Sequence, residues 1–156
     1  MTENRFQVRL IWLVLVIAYC VGDPVQSQSV MQAGKQVATS IETADGTKVE
    51  FLVYLPKDFA ADGDQTYPLL LFLHGRGESQ GGIQMVAKWG PPQLADRGDD
   101  LPFVIVSPQC PAIDFWSSEK QIQNLTELLE QVVKQYKIDQ RRVYLTGLSM
   151  GGFGSW

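Results

Sequence analysis

Gly147-Leu148-Ser149-Met150-Gly151 is the stretch of this sequence whose residue types and spacing could do chemistry. It is G-x-S-x-G, the pattern that lifts a serine hydroxyl out of a sharp turn so that it can attack an electrophilic carbon. Gly147 and Gly151 remove the side chains that would collide with neighbouring backbone in such a turn. If the turn opens a helix, that helix offers free N–H groups and its positive end beside Ser149, where an oxyanion would form. The pattern is short and also occurs in ordinary glycine-rich turns. The run before it, Val143-Tyr144-Leu145, makes the difference, because β-branched, aromatic and aliphatic residues in sequence suit a buried parallel strand. Two rival glycine readings fail. No lysine follows Gly151, as a phosphate-binding P-loop needs, and Gly152-Phe153-Gly154 lies beyond the strand-to-helix turn where a dinucleotide fingerprint belongs.

Other elements must hold this turn. Pro68-Leu69-Leu70-Leu71-Phe72-Leu73 shows no polar alternation, which predicts a central strand covered on both faces. It runs into His74-Gly75-Arg76-Gly77-Glu78 and then Gly81-Gly82. A glycine-rich loop at the carboxyl end of a central strand is where open α/β sheets place ligands. Pro102 to Pro108 reads as a second buried strand, followed by the loop Gln109-Cys110-Pro111 and the Phe115-Trp116 pair. Glu119 to Tyr136 reads as a helix, with Ser118 as its cap, Gln121 completing a capping box, and Ile122, Leu125, Leu128, Leu129, Val132, Val133 and Tyr136 on one face. Ile138-Asp139-Gln140-Arg141 turns the chain into the strand before Ser149. Upstream, Thr39–Thr43 and Lys48–Leu55 flank Asp45-Gly46 as a hairpin with a two-residue turn, after a mobile lead-in from Ser29 to Ala38. A short helix is expected over Ile83–Trp89, stopped by Gly90-Pro91-Pro92, with another turn of helix over Leu94–Gly98. Buried strands alternating with helices imply a doubly wound, mostly parallel α/β sheet.

Bulk properties narrow the classes. In 156 residues the chain has room for one domain with a core, and 45% hydrophobic with 19% charged residues is a globular composition. The formal charge is −4 with no basic run, so nucleic acid is not an expected partner. Arg5 and Arg9 precede an apolar block from Leu10 to Val21, too short to span a bilayer and suited to a signal peptide. Val25-Gln26-Ser27 places cleavage after Ser27, giving residues 1–27 as leader, 28–48 as lead-in and first strand, and 49–156 as the main domain. An uncleaved anchor and a lipidated Cys20 are the other readings; the bulky Tyr19 argues against the second. The expected location is secreted or periplasmic, with no stable membrane partner after cleavage. Without the leader Cys110 is the lone cysteine, and it is buried, free or paired with a partner. One histidine and one cysteine cannot build a zinc site, so neither a metal nor another cofactor is expected.

Three stretches in order carry a family likeness: Leu71-Phe72-Leu73-His74-Gly75 with Gly77-Glu78; Val106-Ser107-Pro108-Gln109-Cys110-Pro111; and Arg142 to Gly152 with Phe153-Gly154-Ser155-Trp156. From about Val49 to Trp156 the chain resembles the amino-terminal half of secreted α/β-hydrolases of the carboxylesterase/phospholipase group. It is also similar to dienelactone hydrolases and to polyhydroxybutyrate depolymerases and feruloyl esterases. The resemblance implies Ser149 as nucleophile on small-molecule or polymer esters, with no cofactor. It implies the Met150 N–H as one oxyanion donor and the Arg76 N–H as the other, with Gly75 as the fallback. It assigns His74 to the oxyanion loop rather than to the base, and Glu78 to loop organisation, because the family order is Ser, then Asp/Glu, then His. Seven residues follow Ser149 and none is histidine, so the chain reads as the first part of a hydrolase, its elbow strand left as an apolar edge. A prolyl-oligopeptidase-type peptidase uses the same elbow, and a truncated binding module without turnover is the non-enzymatic alternative.

Overall fold

The computed structural model describes residues 31–156; the expected leader lies outside them. Five strands form one mixed sheet: β1 (Gln36–Glu42), β2 (Lys48–Tyr54), β3 (Tyr67–Leu73), β4 (Val104–Pro108) and β5 (Ile138–Gly147), in the order β1-β2-β4-β3-β5. The β4-β3-β5 half is parallel, and β1 and β2 join it antiparallel. Three helices, α1 (Gly90–Asp96), α2 (Glu119–Gln135) and α3 (Met150–Gly154), and two 3₁₀ turns, Arg76–Ser79 and Ile83–Lys88, complete the described chain.

The strand residues sort by parity onto two faces, as the pleat requires. Phe51, Val53, Leu69, Leu71, Leu73, Val104 and Val106 share a core with Leu128 and Val132 of α2 and with Met150. Tyr54 and Ile105 point the other way and pack with Ala95 of α1 and with Leu70, Leu101 and Phe103. Both faces of β2 are therefore covered.

The hairpin differs from expectation in its turn. Gly46 N–H donates to Thr43 O and Thr43 N–H to Thr47 O, both at 2.9 Å, so the loop holds three residues, not two. Gly46 sits at φ +82°, the left-handed position that ends this longer turn. The lead-in also differs: Gln36, Val37 and Ala38 pair with Tyr54, Val53 and Leu52, because the regular β2 edge needs backbone partners whatever the side chains.

Pro91 and Pro92 do more than stop the preceding segment. They occupy the first turn of α1, where the missing N–H has no intrahelical acceptor and φ is already set. Ser118 caps α2, its Oγ accepting from Gln121 N–H at 3.2 Å. The reciprocal half of the box is not made, since Gln121 Nε2 donates instead to Asp114 Oδ2 at 2.8 Å. Ile122 is not on the buried face and is 54% exposed; Gln121 and Asn124 are buried in its stead. The expected turn at Ile138–Arg141 is a bulge inside β5. Ile138 opposes Tyr67 and Val143 opposes Leu69, so residues 139–142 bow out of register. Asp139 causes this locally, its carboxylate accepting from Arg141 N–H at 3.0 Å and Arg142 Nε at 2.8 Å and so competing with the ladder.

Candidate active site

Ser149 lies between the last residue of β5, two positions before it, and the first residue of α3. Its φ of +51° and ψ of −110° make it the one non-glycine residue at positive φ among the described residues. An L-residue held there is strained, at a cost of order 1–3 kcal/mol. The neighbouring contacts show what enforces it. A Cβ built on Gly151 would sit 1.9 Å from Leu73 O, and one on Gly147 would sit 2.3 Å from the Gly151 carbonyl carbon. Strand end and helix start are packed backbone to backbone, with room for hydrogen alone. Leu148 N–H donates to Leu73 O at 3.0 Å and pins the turn to the end of β3. Gly151 N–H donates to Leu148 O, and Phe153 N–H to Ser149 O, closing the turn into α3.

The loop after β3 meets this turn. A Cβ on Gly75 would lie 3.4 Å from Leu148 O and 3.6 Å from Ser149 Cβ, so the two backbones approach within side-chain contact. Arg76 opens the 3₁₀ turn and Met150 opens α3, first-turn positions whose N–H groups lack intrahelical acceptors. The Arg76 side chain is directed elsewhere: Nη1 donates to Asp114 O at 2.6 Å, and the guanidinium stacks 4.5 Å above the Phe115 ring. The Glu78 carboxylate is buried against Gly75, 2.9 Å from where a Cβ would stand.

His74 is fully engaged. Cys110 N–H donates to its Nε2 at 3.0 Å, which forces the proton onto Nδ1, and Nδ1 in turn donates to Gly75 O at 2.7 Å. The ring is buried edge-on against Trp116, whose Nε1–H donates to His74 O at 2.9 Å. Burial holds the imidazole below its ordinary value of 6.5, so it stays neutral. With both ring nitrogens taken and the ring inside, His74 is placed to shape the loop and not to take a proton from Ser149. Cys110 is equally inert: burial pushes its thiol up to about 12. Among the described residues, no group of three His, Cys, Asp or Glu side chains is placed to hold a metal ion.

The sheet and the helices that hold this turn have counterparts among solved structures. A thermostable esterase superposes with a TM-score of 0.64 at 27% identity, over 78% of this chain and 36% of that one. This is an α/β-hydrolase fold, and its likeness is to esterases. A ferulic acid esterase (TM-score 0.55, 23% identity, 78% of this chain and 52% of that one) and a fungal esterase from Rhizomucor miehei (0.52, 20%, 86% and 41%) share the fold. In sequence, the chain is 36% identical over 103 residues to the bifunctional acetylxylan esterase/xylanase XynS20E of Neocallimastix patriciarum, covering 64% of this chain and 14% of that protein. It therefore spans about a third to a half of the solved esterases and a small part of the curated relative. No family model matches the sequence.

In this α/β-hydrolase fold the supports of the Gly75 loop escaped the sequence reading. Gln109 Nε2 donates to Glu78 O at 2.8 Å and Cys110 N–H reaches His74, so the Pro-Gln-Cys-Pro stretch clamps the loop from β4. Trp116 is buried in a loop, and a Cβ on Gly154 would meet it at 2.4 Å. A tryptophan and a glycine-rich helix start were visible signals, but nothing in the sequence says that they touch.

Proposed function

We propose that Ser149 is the nucleophile of a carboxylic ester hydrolase. The observation that carries this reading is the Ser149 backbone, held at φ +51° by glycine contacts no side chain could share and set against the Gly75 loop. Ser149 Oγ attacks the ester carbonyl, its proton leaves to a base, and the carbonyl oxygen becomes an oxyanion between two loops. The Met150 N–H and the Arg76 N–H, with Gly75 N–H as the alternative, receive that charge. Gly75 matters sterically as well, because a Cβ there would stand 2.9 Å from the Glu78 carboxylate, which would have to move. Collapse expels the alcohol and leaves an acyl-serine for water to cleave.

The names of the relatives, acetylxylan esterase and ferulic acid esterase, support esters carried on a polysaccharide over phospholipids as the substrate class. Arg5, Arg9 and the apolar block after them support export, with the mature chain starting near Gln28. The sequence's one imidazole is engaged at both nitrogens, so these 156 residues alone are expected to turn over p-nitrophenyl acetate below about 1 s⁻¹. A fluorophosphonate probe, with free imidazole supplied as base, is expected to label Ser149 ahead of every other serine. Labelling elsewhere, or labelling that persists in Ser149→Ala, removes the assignment.

A further inference from the structure

Glu78 is the one acidic side chain buried among the described residues, at 5% exposed. The loop it belongs to is held through its backbone. Glu78 N–H donates to Gly75 O at 3.2 Å, and Gln109 Nε2 donates to Glu78 O at 2.8 Å. The carboxylate takes no part in this. Among the described residues no N–H or O–H donates to it, and no lysine or arginine pairs with it. Neither of its oxygens is among the unpartnered polar atoms sealed from solvent, so each keeps some accessible surface. The side chain lies toward the nucleophile turn. The place where a Gly75 Cβ would stand is 2.9 Å from Glu78 Oε2, 3.4 Å from Leu148 O and 3.6 Å from Ser149 Cβ, so carboxylate and serine flank one point. The neighbouring bases are committed elsewhere. His74 feels the Glu78 charge, but both its ring nitrogens are taken. The Arg76 guanidinium is turned onto Asp114 O and the Phe115 ring.

Taking a carboxylate out of water without giving it a donor is costly, and the backbone bonds that hold the loop do not require it. What the carboxylate does gain is a position beside the reacting atoms. An ester carbonyl carbon attacked by Ser149 Oγ is joined through that oxygen to Cβ, so its substituents fill the space bordering the point that Glu78 Oε2 flanks. We propose that Glu78 determines the specificity of the Ser149 site, its carboxylate accepting a hydrogen bond from a hydroxyl or ammonium group carried within a few bonds of the ester carbonyl. A hydrogen bond to a charged acceptor is among the stronger ones, so a substrate with such a donor is favoured. A substrate carrying its own carboxylate there meets a like charge and is rejected. The inference rests on Ser149 being the nucleophile and goes beyond it by fixing the chemistry of the ester.

The test compares acylation of Ser149 in the 156-residue chain by four p-nitrophenyl esters: acetate, glycolate, glycinate and hemisuccinate. Free imidazole is supplied as base, and the rate of acyl-Ser149 formation is followed by mass spectrometry. Each rate is taken relative to acetate, so that the fold and the general reactivity of a variant cancel. In Glu78→Met, of similar length but without an acceptor, the glycolate and glycinate ratios should fall and the hemisuccinate ratio rise, each about tenfold. Glu78→Gln keeps an acceptor oxygen without the charge. It should move the hemisuccinate ratio as far and the glycolate ratio less. A fall confined to glycolate identifies a hydroxyl as the group recognised, and one confined to glycinate an ammonium. Acyl-Ser149 formed with the same ratios in all three chains overturns the proposal and leaves the nucleophile in place. Acyl groups on other serines, at rates that Ser149→Ala does not change, remove the nucleophile and this inference with it.

Discussion

His74 shows how a residue of catalytic type becomes structural through its partners. Its Nε2 must accept, because Cys110 offers an N–H, and its Nδ1 must then carry the proton that Gly75 O receives. Burial penalises a charge on the ring, which is why its affinity for protons is depressed, and protonation would also break the Cys110 bond. The unfolded chain, at the ordinary 6.5, binds that proton first as pH falls. The stability due to neutral His74 is complete above that value and drains away as pH drops below it toward the folded value. The thermal midpoint should therefore decline between about pH 7 and 5, above the carboxylate range, and decline less in His74→Phe. Equal slopes in the two proteins would show that His74 is not held neutral. The glycines around Ser149 make the complementary point, for what they contribute is the absence of atoms: the Leu73 carbonyl occupies the place a Gly151 side chain would need.

At the scale of elements, local signals and long-range ones parted company. α2 was legible because its cap is local. Ser118 Oγ satisfies the Gln121 N–H three residues on, and Ser118→Ala should cost about 1 kcal/mol. It should appear as a lower urea midpoint at unchanged slope; an unchanged midpoint would mean that the Asp114–Gln121 bond alone holds the helix start. β3, β4 and the elbow were equally legible, from apolar runs and from two glycines at fixed distance from a serine. The misses share a cause. Ile122 fits the helical period but is exposed, while Gln121, bonded to Asp114, and Asn124 are buried instead. The β5 bulge depends on Asp139 capturing two arginine groups, and the clamp on the Gly75 loop depends on Gln109 meeting Glu78, 31 residues away. No period or propensity encodes such meetings; the sheet order creates them.

For the molecule as a whole, the consequential feature is where β5 stands. It is hydrogen-bonded to β3 on one side and to no strand on the other among the described residues, so it forms the edge of the sheet. The sequence reading expected an apolar edge there, and Val143, Tyr144 and Leu145 are each between 41% and 48% exposed. Leu148, Phe153 and Trp156 extend the apolar surface past the elbow. At the opposite edge β1 alternates half-buried and exposed residues, ending in Glu42. An edge with free N–H and C=O groups and apolar side chains is a template for pairing with another strand, and beyond the bulge and its charges the Val143–Gly147 part of β5 carries no charge or proline to blunt it. The prediction is that the 156-residue chain associates with itself, its sedimentation coefficient rising with concentration. Leu145→Lys puts a charge in the middle of the register with β3 and should restore a concentration-independent monomer without lowering the thermal midpoint, because Leu145 lies outside both core clusters. Two results would contradict this: a wild-type chain that stays monomeric into the hundreds of micromolar, or a Leu145→Lys chain that associates as strongly. Either would mean that the β5 edge is protected in solution in a way its exposed side chains do not reveal. If the association is seen, its relief by Leu145→Lys also provides the monomeric background on which imidazole-assisted labelling of Ser149 can be measured without loss to aggregates.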